Sequence, residues 1–244
     1  MKKFRTDKET QAAEATTRMF ESCPDTLQTK LDNFPKYVRR QSLKRFLALY
    51  EIFKRQMPVK GSIVECGVFK GFGVMSWAKL SAMLEPENFM RRVYGFDSFE
   101  GFVTLSKEDE NSVAPPKLNA LAANSYDELQ TLVKSFDEDR FLGHMDKVHL
   151  IRGNAVETMP RFIEENPHLV VSLLFLDFDL FEPTKKAIET FLPRMPKGSI
   201  LAFDELDNPQ WPGETLALIS ALGMGRLRLQ RLEWDPYISF AEIE

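Results

Sequence analysis

From residue 61 onwards, the chain alternates short apolar runs with stretches of helical periodicity. In chain order the runs are SIVECG, RVYGFD, VHLIRG, VVSLLFLDFD and GSILAFDE. Helical patterns follow the first and the fourth run, in VMSWAKLSAML and TKKAIETFLPRM. Near-continuous apolar strands separated by helices predict an α/β fold, with helices covering both faces of a parallel sheet. The tail, GRLRLQRLEWDPYISFAEIE, adds two further runs with partial alternation.

The first sixty residues follow a different pattern, polar-rich and helical. We expect residues 1–60 to form a helical N-terminal cap and residues 61–244 to form the main domain. In RQSLKRFLALYEIFKRQ, apolar side chains recur at helical spacing and give one apolar face, made of Leu43, Phe46, Leu47, Tyr50 and Phe53. Such a face packs on the core of its own chain or contacts a second copy, so a homodimer through the N-terminal helices is one interpretation.

A long connection separates the second predicted strand from the third. About fifty residues lie between Asp97 and Val148, and SYDELQTLVKSF within them has the pattern of a helix. Long connections in compact domains are typically lids or binding loops. We therefore expect a lid-like insertion at about residues 98–125.

The composition of the chain limits the kinds of binding partner and the cellular compartment that we expect. A net charge of −4 and a pI near 5.6 argue against duplex nucleic acid, because phosphate binding needs a surplus of Lys and Arg. Two cysteines provide no disulfide framework, which favours a reducing cytoplasm. The start, MKKFRTDKETQ, lacks the apolar core of a secretion signal, and no apolar run approaches the roughly 18 residues that a bilayer crossing needs. We predict a cytoplasmic protein without a membrane partner.

Each of the five predicted strands ends in an acid or an amide. These are Glu65 at the first, followed by Gly67 and Gly71, Asp97 at the second, Asn154 at the third, Asp177 and Asp179 at the fourth, and Asp204 and Glu205 at the fifth. In open parallel sheets, ligands bind outside the carboxyl ends of the strands. Any one of these residues could be a helix cap or a turn residue. Five such strand ends along one edge of the sheet predict a ligand site.

The loop after the first strand indicates the kind of ligand. Its glycines let a ligand approach the backbone closely, yet GVFKGFG is not G-x-G-x-x-G, and no G-x-x-x-x-G-K-[ST] occurs in the chain. Asp97 can accept hydrogen bonds from the two hydroxyls of a ribose. A glycine turn with a ribose acid but no phosphate cradle suits a nucleoside without phosphate, and S-adenosylmethionine fits that description.

The acids after the fourth and fifth strands predict a metal site. Asp177 and Asp179 share a face because side chains at i and i+2 of a strand do so, and Asp204 comes from the neighbouring strand. Such like charges favour a hard divalent cation, and an all-oxygen set suits Mg²⁺, Ca²⁺ or Mn²⁺. No histidine has a zinc-like spacing. The alternative is that backbone N–H groups of the following helix hold the acids.

These segments resemble a known family. VECGVFKGFG, YGFDSFEGF, GNAVETMP, LDFDLFEPTKKAIETFLPRM, GSILAFDEL and WPGET, in order from Gly61 to Leu216, are similar to the macrocin O-methyltransferase family. The resemblance implies a Rossmann-like class I methyltransferase fold, with a seven-stranded, mostly parallel sheet and an antiparallel last strand. It also implies a metal-dependent enzyme that uses S-adenosylmethionine to methylate a sugar hydroxyl, with residues 61–244 binding the cofactor.

The resemblance assigns a role to individual residues. By position, the cofactor site would comprise Glu65, Cys66, Gly67, Lys70 and Gly71 near its methionine part, Asp97 and Ser98 at the ribose, Asn154 and Ala155 near the adenine, and Asp177. The metal ligands would be Asp177, Asp204 and Glu205, with Asp179 as the general base. This chain departs from the family in having Asp204-Glu205 where two aspartates are usual, and in having Phe178 and Phe181 where a smaller residue and a tyrosine are common.

The loop DELDNPQWPGET after the fifth strand concerns the acceptor. Trp211 offers a flat apolar face on which a sugar can stack, and Glu214 can bind a hydroxyl; alternatively, the tryptophan packs the loop. The expected acceptor is a deoxyhexose, nucleotide-linked or on a glycosylated natural product. A catechol acceptor is one alternative and a non-catalytic binding protein another, although a binding protein would be expected to lose the acids. An iron hydroxylase would need two histidines and a carboxylate that the sequence does not offer.

Overall fold

The structure, a computed structural model, describes residues 6–244. Its seven strands are β1 (Ser62–Cys66), β2 (Val93–Asp97), β3 (Val148–Arg152), β4 (Val171–Leu176), β5 (Ile200–Phe203), β6 (Gln230–Leu232) and β7 (Asp235–Glu242). The α-helices are α1 (Asp7–Ser22), α2 (Leu27–Asp32), α3 (Arg40–Gln56), α4 (Phe72–Leu84), α5 (Tyr126–Asp139), α6 (Ala155–Glu165), α7 (Phe181–Phe191) and α8 (Gly213–Ala221).

The strands form one sheet in the order β3-β2-β1-β4-β5-β7-β6. Strands β1 to β5 are parallel, and β7 pairs antiparallel with both β5 and β6. Six strands therefore share one direction and β7 opposes them. This arrangement confirms the predicted seven-stranded fold. It also confirms the five strands predicted from the apolar runs, whereas α6 and α8 were not predicted as helices.

The central strands of the sheet are buried, as their apolar sequences predict. Every residue of β1, β4 and β5 is buried. On α3 the buried stripe is Ala48, Leu49, Ile52, Phe53 and Gln56. This stripe differs from the predicted apolar face, of which Phe53 alone is buried and Leu47 is half exposed.

The chain divides into two compact units between Leu47 and Ala48. The division falls within α3, before residue 60, where the sequence analysis places the domain boundary. Among residues 6–47, the only buried residue is Lys30. The helices in this part are locally well formed, because Thr6 and Glu9 make a reciprocal capping box at the start of α1. None of the helices described is both long and apolar enough to cross a bilayer.

Arg91 organises the amino-terminal edge of the sheet, opposite the predicted site. Its side chain is buried, and its Nε lies 2.7 Å from Glu85 Oε1. The guanidinium also donates to Gln56 Oε1, to Ser172 Oγ at 2.5 Å, and to the carbonyls of Met57, Val59 and Gly61 at 2.9–3.0 Å. A buried charge is tolerated when it is paired and hydrogen-bonded in this way. The network joins the end of α3 and the loop before β1 to the start of β4, at the edge opposite the predicted site.

Candidate active site

The register of the sheet aligns the strand ends. One row of paired residues crosses the four central strands and consists of Phe96, Cys66, Leu176 and Phe203. The next residue of each strand is therefore at the same edge. There the loops after β1 and β4 touch, because a Cβ built on Gly67, whose φ is +99°, would lie 1.9 Å from the carbonyl oxygen of Asp177. Only glycine fits at this contact.

Asp97 holds the glycine loop from the end of β2. Its Oδ2 accepts the N–H groups of Val68 and Phe69, both at 2.8 Å, and its Oδ1 accepts the Phe99 N–H at 2.6 Å. Lys70 extends from this loop into solvent, with Nζ 5.6 Å from the centroid of the Phe69 ring. The carboxylate therefore shapes the loop, a role that its predicted contact with a ribose did not include.

Three more predicted cofactor residues, at the end of β1 and the start of α4, pack beneath the glycine loop. Glu65 is buried at the end of β1 and packs on α4, where a Cβ on Gly73 would lie 2.4 Å from Glu65 Oε1. Gly71 has a left-handed φ of +82° and begins α4 under the Leu129 side chain of α5. Cys66 faces the core, and burial raises the pKa of its thiol well above the ordinary value. A thiol of this kind is inert, so Cys66 contributes shape alone.

Two further predicted cofactor contacts have local structural roles. Ser98 Oγ donates to the Gly101 carbonyl at 2.7 Å, which tightens the turn after β2. Asn154 is the N-cap of α6, and its Oδ1 accepts the Val156 N–H at 3.2 Å, next to the buried Ala155. Capping is thus one function of Asn154, and its predicted place near an adenine stays a prediction.

Three carboxylates converge beside Gly67, and we call them the acid group. Oxygens of Asp177, Asp179 and Glu214 all lie within 4.8 Å of one another. Asp177 and Asp179 are half-buried at the end of β4, and Glu214 is fully buried in the first turn of α8. Glu214 Oε1 accepts the Asp179 N–H at 3.4 Å, and Oε2 accepts the Glu205 N–H at 3.1 Å. The acids thus meet, and the buried one also bonds to the backbone.

The environment of Glu214 makes ionisation costly. Burial raises the pKa of its carboxyl well above the ordinary value, and the negative charges of Asp177, Asp179 and Asp204 raise it further. The N–H of Glu205 opposes the shift. A proton or a cation must therefore offset the charge of the group.

The acid group differs in membership from the predicted ligand set. Asp204 is near enough to act on the charge of Glu214, and the carboxylate of Glu205 accepts a hydrogen bond from the Asn208 amide. Within the described chain, Asp177 is the one predicted ligand that belongs to the group. Glu214, predicted to bind the acceptor, joins the group because α8 begins there, and no local signal in the sequence indicates this.

The insertion at 98–125 lies against the loop between β5 and α8. It holds no α-helix and docks by three contacts: the Phe102 ring meets the Trp211 ring edge-on at 5.9 Å, Ser112 Oγ donates to the Gln210 carbonyl at 2.5 Å, and the Val113 N–H donates to the Pro209 carbonyl at 3.1 Å. Trp211 is half-buried by this packing. The segment thus packs along the loop between β5 and α8, and its role as a lid stays a prediction.

The sheet order, the glycine loop after β1 and the acids after β4 define a class I methyltransferase. The sequence profile of the family described as Macrocin-O-methyltransferase (TylF) matches residues 19–215. The chain belongs to this family and is an S-adenosylmethionine-dependent O-methyltransferase. The match begins well before Gly61, so it extends the resemblance into the N-terminal helices. A comparison with curated protein sequences gives no match.

Solved structures agree with the family. The calicheamicin methyltransferase CalS11 is 33% identical, with a TM-score of 0.92, over 98% of this chain and 93% of that chain. An apo structure of CalS11, a TDP-rhamnose 3'-O-methyltransferase, is 32% identical, with a TM-score of 0.85, over 98% of this chain and 95% of that chain. The O-methyltransferase NovP shares the fold at 18% identity, with a TM-score of 0.61, over 82% of this chain and 79% of that chain.

We predict that Gly67→Ala displaces the loop after β4, because the new methyl group has no space beside the Asp177 carbonyl. Overpacking of this kind costs about 1–3 kcal/mol of folding free energy. Affinity for S-adenosylhomocysteine should fall about tenfold or more, the equivalent of about 1.4 kcal/mol. Chemical denaturation and titration calorimetry measure the two effects. Gly225→Ala is the matched control, since a Cβ there meets nothing within 4 Å; equal behaviour of the two variants would contradict the prediction.

Proposed function

We propose that this enzyme transfers the methyl group of S-adenosylmethionine to a hydroxyl of a deoxyhexose, and that it needs a divalent cation, Mg²⁺, to do so. The observation that carries the proposal is the acid group of Asp177, Asp179 and Glu214 beside the Gly67 loop. The similarity to CalS11, which acts on TDP-rhamnose, supports a nucleotide-linked sugar as the acceptor. A sugar on a glycosylated natural product is the related possibility.

The donor set fits a hard divalent cation. Three carboxylates supply oxygen ligands within one small volume, and oxygen is what Mg²⁺ prefers. A cation would also relieve the charge that makes Glu214 costly to ionise. Asp177 and Glu214 would hold it, with Asp204 and Glu205 as the further ligands that the family resemblance implies, and Asp179 beside them would remain available as the base. When bound, a divalent cation supplies Lewis acidity that lowers the pKa of an alcohol.

Residues of the chain would bind the two substrates, align them and remove the proton. The sulfonium is already an activated methyl donor, so the protein must align donor and acceptor and remove one proton. In this proposal the glycine loop, with Glu65 and Lys70, binds the methionine part of the donor, Asp97 binds the ribose, and Asn154 contacts the adenine. Trp211 offers its face to the sugar. Asp179 accepts the proton of the hydroxyl as general base.

Cytoplasmic location is part of the same proposal. Both cysteines are free thiols, and Cys66 is buried where no partner cysteine reaches it. Free thiols suit a reducing compartment.

We predict that methylation of TDP-rhamnose requires Mg²⁺ and stops when EDTA is added. Asp177→Ala should abolish the metal-dependent turnover while leaving the affinity for S-adenosylhomocysteine within about threefold, a difference of less than 1 kcal/mol. Mass spectrometry of the product and titration calorimetry measure the two quantities. Glu233→Ala removes an exposed acid elsewhere and serves as the control. Equal loss of turnover and cofactor affinity in Asp177→Ala, or methylation of a catechol instead of the sugar, would contradict the proposal.

The raised pKa of Glu214 predicts how pH affects metal-free stability. Above the ordinary pKa of 4.5, an unfolded chain loses the Glu214 proton while the folded chain keeps it. Stability without metal should therefore fall as pH rises from about 4.5 towards the folded pKa, with a slope set by the difference in bound protons. Because the ionised carboxylate is the metal ligand, Mg²⁺ should raise the melting temperature more at higher pH.

Thermal unfolding with Mg²⁺ or with EDTA across this pH range tests the prediction. Glu214→Gln keeps the shape of the side chain but cannot ionise, so both the pH slope and the Mg²⁺ shift should shrink. Glu189→Gln, an exposed position on α7, is the matched control. An undiminished Mg²⁺ shift in Glu214→Gln would argue that the cation binds elsewhere.

The N-terminal helices support a homodimer. Among residues 6–47 Lys30 alone is buried, whereas five large apolar side chains are at least half exposed, namely Met19, Leu27, Leu31, Phe34 and Leu47. Helices of this length are marginal in water without packing partners. We infer that a second copy of the chain covers these side chains.

Analytical ultracentrifugation tests the dimer. The wild-type protein should sediment as a dimer, and the combined Met19→Ser, Leu27→Ser and Leu31→Ser variant should dissociate, because each change removes apolar area from the contact. Met83→Ser, which alters an exposed methionine of α4, is the control. A monomeric wild-type protein would refute the inference.

A further inference from the structure

Asp109, a carboxylate of the insertion and outside the acid group, bonds to the start of α7, where the loop after β4 ends. It is 3% exposed and begins a short 3-10 helix, Asp109–Asn111. Its Oδ2 accepts both the N–H and the hydroxyl of Ser106 at 2.8 Å. Its Oδ1 accepts the N–H of Phe181 at 2.8 Å, across 72 positions of sequence. The insertion is thereby tied to the start of α7.

The bond to Phe181 supplies a cap that α7 otherwise lacks. Phe181 is the first residue of the helix, and the N-cap residue Leu180 makes no side-chain capping bond. The first N–H groups of a helix need outside acceptors, and a negative charge there is favourable because of the helix dipole. Asp109 therefore fixes the position at which the loop after β4 enters α7.

That loop contains Asp179 in a strained conformation. Asp179 has a φ of +64°, and a left-handed non-glycine residue costs about 1–3 kcal/mol unless its surroundings hold it. On one side, Glu214 Oε1 accepts the Asp179 N–H at 3.4 Å, and a Cβ on Gly213 would lie 2.5 Å from the Asp179 carbonyl oxygen. On the other side, two residues along, Asp109 holds Phe181. Both ends of the strained segment are thus anchored.

We propose that Asp109 is a positioning residue for Asp179, so that docking of the insertion also sets the general base. The inference rests on the proposed function, in which Asp179 removes the acceptor's proton. Its consequence is that the insertion beside the acceptor loop also holds the base in position, through Asp109 and not through its other contacts. Without the bond from Asp109, the Phe181 end of the loop is released, and Asp179 can relax to an ordinary backbone conformation with its carboxylate displaced.

Ser112 provides the matched control. It also ties the insertion down, but its hydroxyl donates to the Gln210 carbonyl and not to a group of α7. Ser112→Ala should therefore loosen the cover, raising KM for the acceptor while leaving kcat within about twofold. Asp109→Ala should instead lower kcat by about 10- to 100-fold, since a displacement of about 1 Å can cost a factor of about 100. Asp109→Asn keeps an acceptor oxygen for the Phe181 N–H and should recover most of the loss.

The experiment measures kcat and KM with TDP-rhamnose for these variants and amide hydrogen exchange at Phe181 for each. Exchange at Phe181 should accelerate in Asp109→Ala and remain slow in Ser112→Ala. In an Asp179→Ala background, Asp109→Ala should lower kcat no further, because the two residues act through one group. Additive losses, a change in KM alone, or unchanged exchange at Phe181 would overturn the proposal.

Two controls keep this test separate from the proposed function. If Asp179→Ala retains the wild-type kcat, the base is wrong whatever Asp109 does. Exchange needs no acceptor, so a wild-type protein that leaves TDP-rhamnose unmethylated refutes the acceptor and leaves the Asp109 contact still measurable. Should Asp109→Ala not fold, Asp109→Leu, which fills a similar volume without a hydrogen-bond acceptor, replaces it, and accelerated exchange at Phe181 would support the role while slow exchange would overturn it.

Discussion

Three carboxylates within 4.8 Å of one another, one of them without access to water, impose the constraint around which the carboxyl edge is built. An ionised Glu214 is costly to bury unless its charge is offset. The backbone meets part of this requirement, because the N–H groups of Asp179 and Glu205 point at its two oxygens. The remainder calls for a proton or a cation. A carboxylate group that can hold either a proton or a divalent cation is suited to a reaction at an alcohol hydroxyl.

The sheet register determines why this group lies beside a cofactor loop. Cys66 and Leu176 are paired, so the residues that follow them, Gly67 and Asp177, emerge side by side. The absent side chain at Gly67 lets the two loops touch. A methyl donor on the first loop and an acceptor at the second would therefore share one wall, which gives proximity without any movement of the sheet.

The sequence predicts this edge better than it predicts what occupies it. Apolar runs locate β1 to β5, because buried strands depend on local sequence. Asp177 and Asp179 also converge, but both lie beyond the end of β4 and Asp179 has a left-handed φ of +64°, so the loop and not the alternation of a strand brings them together. Glu214 escapes such reasoning, because it reaches the acid group only when α8 packs on the rest of the chain. The helix itself is short and apolar on most sides, so it shows little periodicity. The hydrogen bonds of Asp97 to the glycine loop are likewise set by tertiary packing.

Carboxylates at this edge hold left-handed residues in place. Asp97 accepts the N–H groups of Phe69 and Phe99, whose φ values are +51° and +59°, and Glu214 accepts that of Asp179, at +64°. Each such backbone costs about 1–3 kcal/mol, and a hydrogen bond to a charged group contributes about 1.5–3 kcal/mol, so the two roughly cancel. These hydrogen bonds offset the backbone strain and hold the loops beside the cofactor and the base in place before any ligand binds. Asp97 and Glu214 thus hold the loops of the site in shape in addition to any contact with a ligand, which is one reason why a single edge carries so many acids.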